Sequence, residues 1–185
     1  MKQIGMIGGK LAIICAVAAI ALGIVNAVTK PIIQKRAEER LARALEFTAL
    51  GGNVGERRDI EEAENKTVTA FYPVESVEGA GKAYLIRLIG IGYGGEMQLL
   101  ALYDQNGKLL NAKLMQNNET PGLGKEAEEA EYMGKYIGHG NDSPIPVRKD
   151  QLEKPEAVSG ATITFIGVGK ALKAGSEFVK SGGVD

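Results

Sequence analysis

The sequence predicts an α+β protein in which a single N-terminal transmembrane helix is followed by a small α+β domain. Three observations predict it. The run Leu11–Val28, LAIICAVAAIALGIVNAV, holds no charged residue. Between Thr67 and Met115 the chain passes through segments with strand-like residues and turn signals between them. The final stretch, Ile163–Lys180, repeats apolar residues at helical spacing. Residues 1–30 are read as the membrane anchor, 31–66 as an amphipathic helix with a charged connector, and 67–185 as the folded domain.

The anchor comes first. With the weaker stretch Ile4–Gly9 in front, Leu11–Val28 is long enough for a hydrocarbon core about 30 Å thick at roughly 1.5 Å per residue. Val25-Asn26-Ala27 resembles a small-residue cleavage site. The run is nevertheless longer than the roughly 7–15 residues of a signal core, so a retained helix is expected. Cys15 within it reads as a small lipid-facing or packing residue rather than a lipidation site. After it, Ile33, Ala37, Leu41, Ala44, Leu45 and Thr48 recur on one helical face, with Glu39 and Arg43 as an i,i+4 pair. Pro31 suits a first helical turn, and the helix is expected to continue the anchor with a kink there. Gly51-Gly52-Asn53 ends it, and the charged stretch Val54–Lys66 is expected to be an exposed connector.

Strands are expected over Thr67–Val74, Ala83–Ile89, Met97–Asp104 and Lys108–Met115, with Asn106-Gly107 as the tight turn of a hairpin. Lys125–Gly138 reads as a short helix with Ala127, Ala130, Tyr132, Met133, Tyr136 and Ile137 toward a core. Pro144 and Pro146 make Asn141–Val147 a loop. The last helix presents Val168, Ala171, Leu172, Gly175 and Val179 on one face.

Composition excludes several chemistries. The net charge is −1, and no basic stripe interleaved with aromatics is present, so nucleic acid is not an expected partner. There is one cysteine, Cys15, and one histidine, His139. That rules out an internal disulfide, a self-contained iron–sulfur cluster and a typical zinc site, so no metal ligands are expected. His139, between two glycines, reads as a surface loop residue. The acidic cluster Glu126, Glu128, Glu129 and Glu131 reads as a solvated helix face. Redox work by this chain would need an organic cofactor.

The stretch Ser159-Gly160-Ala161-Thr162-Ile163-Thr164 stands immediately before and within the start of the last helix. Such a turn presents free backbone N–H groups and the positive end of the helix dipole, which suits a phosphate. The same residues also make an ordinary N-cap, which local chemistry alone favours. Gly90-Ile91-Gly92-Tyr93-Gly94-Gly95 precedes a strand rather than joining a strand to a helix, so it is not a dinucleotide fingerprint.

Ser159–Thr162 resembles the flavinylation motif, S/T-G-A-T, of the FMN-binding domain family. Glu119-Thr120-Pro121-Gly122-Leu123-Gly124 makes the resemblance more specific. ETPGLG ahead of SGAT is similar to the G subunit of the Rnf electron-transport complex and to its relative, the C subunit of the sodium-translocating NADH:quinone reductase. The GYGG segment and Val28-Thr29-Lys30-Pro31-Ile32 are similar to the same family. The chain departs from it in three places: Glu156 stands where aspartate is usual, Phe165 where serine is frequent, and Asn117 and Asn118 where a histidine is often found.

The resemblance implies FMN joined by a phosphoester bond to Thr162. The expected cofactor contacts are Ser159, Gly160, Ala161 and Thr164 around it, with Glu119, Thr120, Leu123 and Gly124 on the second loop. It implies an electron-transfer subunit of an ion-translocating ferredoxin:NAD oxidoreductase, without a catalytic residue of its own. The implied partners are the other subunits of the complex, a flavin transferase and the lipid bilayer. The chain's shortness favours the Rnf-type subunit over the quinone-reductase type. An anchored assembly subunit without flavin is the rival reading, supported by Glu156 and Phe165. The family places the flavin domain outside the cytoplasmic membrane, whereas Lys30, Lys35, Arg36, Arg40 and Arg43 after the span would by charge alone keep it inside.

Overall fold

The computed structural model describes residues 2–60, 67–77, 81–158 and 160–184. The chain divides into two compact units, Met1–Leu41 and Ala42–Asp185.

The first unit is helical, part of α1 (Lys2–Thr48). Among the described residues from Ile7, the helix holds a stretch apolar and long enough to cross a membrane. Leu11, Ile13, Ile14, Val17, Ile20 and Leu22 are all exposed, as a helix solvated by lipid requires. The helix runs on through Pro31, which lies in its interior rather than in a first turn. Pro31 has no N–H for the carbonyl of Ala27, so the helix continues with one hydrogen bond fewer.

The second unit is a sheet sandwiched between helical segments. Its strands are β1 (Asn53–Val54), β2 (Arg58–Asp59), β3 (Val68–Val77), β4 (Gly81–Gly92), β5 (Gly95–Asp104) and β6 (Leu109–Gln116). All pairings are antiparallel, in the order β1-β3-β4-β5-β6, with β2 also on β3. The four long strands match the expected ones. Asn106-Gly107 turns β5 into β6, with Gly107 at φ +77°, a conformation that glycine adopts without strain. The expected connector differs. Asn53–Val54 and Arg58–Asp59 pair with the outer edge of β3, and the Arg58 guanidinium lies 5.6 Å from the centre of the Phe71 ring. An edge strand has N–H and C=O groups that need partners, and nearby chain of any composition can supply them. Residues 61–66 of that connector lie outside the described residues.

Side chains alternate across the sheet as its pleat dictates. One face carries Phe71, Ile86, Leu88, Met97, Leu99, Ala101 and Tyr103 against α3 (Thr162–Lys180). The other carries Tyr72, Val74, Ala83, Leu85, Leu100 and Leu102 against Ala44, Leu45 and Ala49 at the end of α1. Asn111 Nδ2 donates to the carbonyls of Phe47 and Thr48 at 3.1 and 3.4 Å, covering orphan acceptors of the helix C-terminus.

α3 sits low on β4 because Gly167 has no side chain: a methyl there would overlap the Ile91 carbonyl. The Tyr103 hydroxyl donates to Leu172 O at 2.7 Å and the Tyr136 hydroxyl to Phe165 O at 2.9 Å, tying the helix to what lies beneath it. Burial of Phe165, Val168, Leu172 and Val179 stabilises this layer by roughly 1.5–3 kcal/mol per large side chain.

The expected helix over Lys125–Gly138 is not one helix. Gly124–Glu128 is a 3-10 turn and α2 (Ala130–Met133) a single helical turn, followed by turns to Gly138 at φ +91°. Four glutamates crowd this stretch, and Gly134 and Gly138 interrupt it; repulsion and glycine entropy both oppose a continuous helix. Ala127, Tyr132, Met133 and Tyr136 still reach the core, whereas Ala130 and Ile137 are exposed. The glutamates are exposed on this broken segment rather than on a helix face. Two further 3-10 turns, Lys149–Gln151 and Pro155–Val158, follow the proline loop.

Candidate functional site

Three segments meet at one end of the sheet. Tyr93 is at the tip of the β4–β5 hairpin, where Gly92 pairs with Gly95. The loop after β6 carries Glu119-Thr120-Pro121-Gly122-Leu123-Gly124. The third segment is the entrance to α3. Between them lies a cleft of about 490 Å3, lined by Tyr93, Glu119, Thr120, Leu123, Gly124, Gly160, Ala161, Thr162, Ile163 and Thr164.

Eight of the nine residues expected around a cofactor thus line a single cleft: Glu119, Thr120, Leu123, Gly124, Gly160, Ala161, Thr162 and Thr164. The ninth, Ser159, lies outside the described residues. The expectation missed Tyr93 and Ile163. Tyr93 is 76% exposed despite its ring, and Ile163 is 53% exposed at the second position of α3. An aromatic residue between glycines and an apolar residue on the polar edge of a helix were the available signals.

Thr162 is the first residue of α3, and its N-cap is Ala161, which makes no side-chain cap. A cap from the neighbouring Ser159 lies outside the described residues. The first-turn N–H groups have no intrahelical acceptor, and the helix dipole at this end favours an anion. Gly160 stands at φ +83°, a left-handed conformation that lets the chain turn sharply into the helix. Phe165 is fully buried and stacks on Tyr136 with centroids 5.2 Å apart. Its departure from serine is a core-packing feature. Glu156 is exposed in its 3-10 turn.

The ETPGLG loop is fixed by its own turn and by side chains. Leu123 N donates to Thr120 O at 3.2 Å, and Gly122 stands at φ +76°. Glu119 N donates to Asn117 Oδ1 at 2.9 Å. Asn117 Nδ2 donates to Glu128 Oε1 at 3.0 Å, which also receives Lys125 Nζ at 2.6 Å. Asn117 thus braces the loop. Glu119 is only 7% exposed, and its Oε1 accepts the N–H of Gly94 at 3.1 Å. That bond joins the loop to the hairpin carrying Tyr93.

Behind the cleft, Tyr132 has a buried hydroxyl that meets no hydrogen-bond partner at bonding geometry among the described residues. Burial chiefly pushes its pKa up to about 12, and the charges of Glu119 and Glu126 add to the rise. Burial also raises Tyr136 and Tyr103. These phenols stay neutral near pH 7 and are not acid–base groups. His139 lies away from the cleft, its Nδ1 2.8 Å from Ser143 Oγ in the expected loop.

The cleft's lining fits a flavin mononucleotide: apolar walls at Tyr93, Leu123 and Ile163, and a helix N-terminus for its phosphate. The comparisons with known proteins agree. Residues 92–177, which include every residue lining the cleft, match the FMN-binding domain model. The G subunit of the proton-translocating ferredoxin:NAD(+) oxidoreductase complex of Clostridium ljungdahlii is 30% identical over 176 residues, 91% of this chain and 88% of that one. The G subunit of the ion-translocating oxidoreductase complex of Cereibacter sphaeroides is 30% identical over 83% of this chain and 74% of its own length. The protein of that name from Methanosarcina acetivorans is 27% identical over 97% of this chain and 96% of its own. Among solved structures, the C subunit of the Na(+)-translocating NADH-quinone reductase of Parabacteroides distasonis superposes with a TM-score of 0.53 at 17% identity, over 80% of this chain and 94% of that one, and shares the fold. With an FMN-binding domain built around this cleft and relatives aligned over most of its length, the chain belongs to the G-subunit family of ion-translocating oxidoreductase complexes.

Proposed function

We propose that this chain is an electron-relay subunit of a membrane-bound, ion-translocating ferredoxin:NAD oxidoreductase, with FMN esterified through its phosphate to Thr162. The observation that carries this reading is that Thr162, the first residue of α3, lines the cleft at the positive end of the helix dipole. A flavin transferase acting on FAD would form the bond from Thr162 Oγ1 to the flavin-side phosphorus, with AMP leaving and the hydroxyl proton passing to a base. When bound, the flavin supplies the redox chemistry. The protein's own part is to hold the phosphate at the first turn of α3, shape the apolar walls and limit water access. An ester link leaves the ring positions free and prevents loss of the cofactor.

The flavin domain is placed on the extracytoplasmic side in this reading, where the transferase would meet it, and α1 anchors the chain in the cytoplasmic membrane. The other subunits of the complex are its redox partners. The Clostridium ljungdahlii relative, named for a ferredoxin:NAD(+) oxidoreductase complex and aligned over 91% of this chain, supports the ferredoxin:NAD type over the quinone-reductase type.

The test is the intact mass of the natively produced chain and of Thr162→Ala. The wild type is expected to carry the mass of one flavin mononucleotide adduct and to fluoresce in a denaturing gel; the variant is expected to do neither. A wild-type chain of unmodified mass, or an Ala variant that keeps the adduct, refutes the assignment. Protease treatment of intact spheroplasts tests the sidedness.

A further inference from the structure

The carboxylate of Glu119 is enclosed by main chain, yet lines the cleft. A methyl group at Gly92 would overlap its Oε1, and one at Gly124 would come within 2.5 Å of its Oε2. Two glycines therefore leave the room it occupies. Its hydrogen bond comes from the Gly94 N–H at 3.1 Å, a neutral donor. Among the described residues no lysine, arginine or histidine pairs with it. Lys125, on the same loop, is tied to Glu128 and the Asn117 carbonyl instead. The cleft lining contains no basic side chain at all, and Glu119 is its one ionisable carboxyl group.

A latch between loop and hairpin could be built from a neutral amide. A buried charge without a cation is costly to keep, which points to work done by the charge itself. Adding electrons to a group in the cleft adds negative charge beside it, and a fixed carboxylate opposes this in a medium of low dielectric. The same charge already reaches the neighbouring Tyr132, whose ionisation it disfavours.

Resting on the reading that FMN occupies this cleft, we propose that Glu119 is a tuning residue whose buried carboxylate holds the flavin's midpoint potential below the value set by the rest of the site. It acts through space and takes no part in bond making. Because the charge is enclosed, its effect persists at high ionic strength, unlike that of a surface carboxylate.

The experiment uses the full chain in detergent, produced with its transferase, and follows the midpoint potential by spectroelectrochemical titration at low and high salt. Intact mass establishes the adduct in every sample. Glu119→Gln keeps an acceptor for Gly94 and removes the charge; its potential is expected to rise at both salt concentrations. Glu119→Asp keeps the charge and is expected to stay nearer the wild type than Gln does. An adduct-bearing Gln variant with the wild-type potential overturns the proposal. So does a folded Gln variant without flavin, because the carboxylate would then serve attachment rather than tuning. Should the Gln variant fail to fold, Thr120→Lys sets a cation on the same wall with Glu119 in place, and an unchanged potential there overturns the proposal too. A wild type without the adduct refutes the FMN reading itself, and the mass measurement separates that failure from the others.

Discussion

The Tyr136 hydroxyl donates to the Phe165 carbonyl at 2.9 Å while the two rings stack at 5.2 Å, so one residue of the broken segment after β6 holds the first turns of α3 twice over. Phe165 is three residues beyond Thr162, and its backbone N–H closes the first helical bond to Ala161 O at 2.9 Å. The site's helix entrance is thus positioned from the core side. Phe165→Ala is expected to cost about 3–5 kcal/mol by leaving a cavity. Denaturant unfolding of the domain measures it.

At Thr162 the prediction concerns chemistry rather than stability. The residue is half-buried at the first position of α3. Thr162→Ser keeps the hydroxyl and is expected to retain flavin on a denaturing gel. Thr162→Ala is expected to shift stability by within about 0.5 kcal/mol, as a change away from packing and capping does.

Gly124→Ala is expected to damage the cleft without touching Thr162. The added methyl would meet Glu119 Oε2 and Thr164 Oγ1, each at 2.5 Å. Overpacking of this kind costs typically about 1–3 kcal/mol. Thermal unfolding should report the loss, and weakened flavin loading should accompany it.

Asn111→Ala removes the donor that serves the last carbonyls of α1. Losing a hydrogen bond to a half-buried acceptor costs about 1 kcal/mol. The expected readout is faster amide exchange near Phe47 and Thr48, with the sheet itself unchanged.

The tyrosines predict an alkaline limit. Burial raises Tyr103, Tyr132 and Tyr136, with Tyr132 at about 12. Below about pH 10 these phenols are protonated in both the folded and the unfolded chain and contribute no pH dependence. Above it the unfolded chain releases their protons first, binds fewer than the native state, and stability falls as pH rises. Denaturant midpoints between about pH 9 and 11.5 should decline, and phenolate absorbance from these residues should appear only with unfolding.

The sequence by itself determined the parts whose physics is local. An uncharged apolar run makes a membrane-length helix, period-two apolar residues make β3 to β6, and Asn106-Gly107 makes their last turn. α3 was legible because its apolar stripe keeps one period from Phe165 to Val179. The two site motifs were legible as motifs. Only the tertiary structure decided what depended on partners distant in sequence. β1 and β2 form because β3 offers them an open edge, and the stretch after Gly124 breaks because glycine and like charges outweigh its apolar pattern. The cleft itself is of this kind. Tyr93, Glu119 and Thr162 come from a hairpin tip, a loop and a helix entrance, and only the antiparallel sheet with α3 seated on β4 brings them to one place.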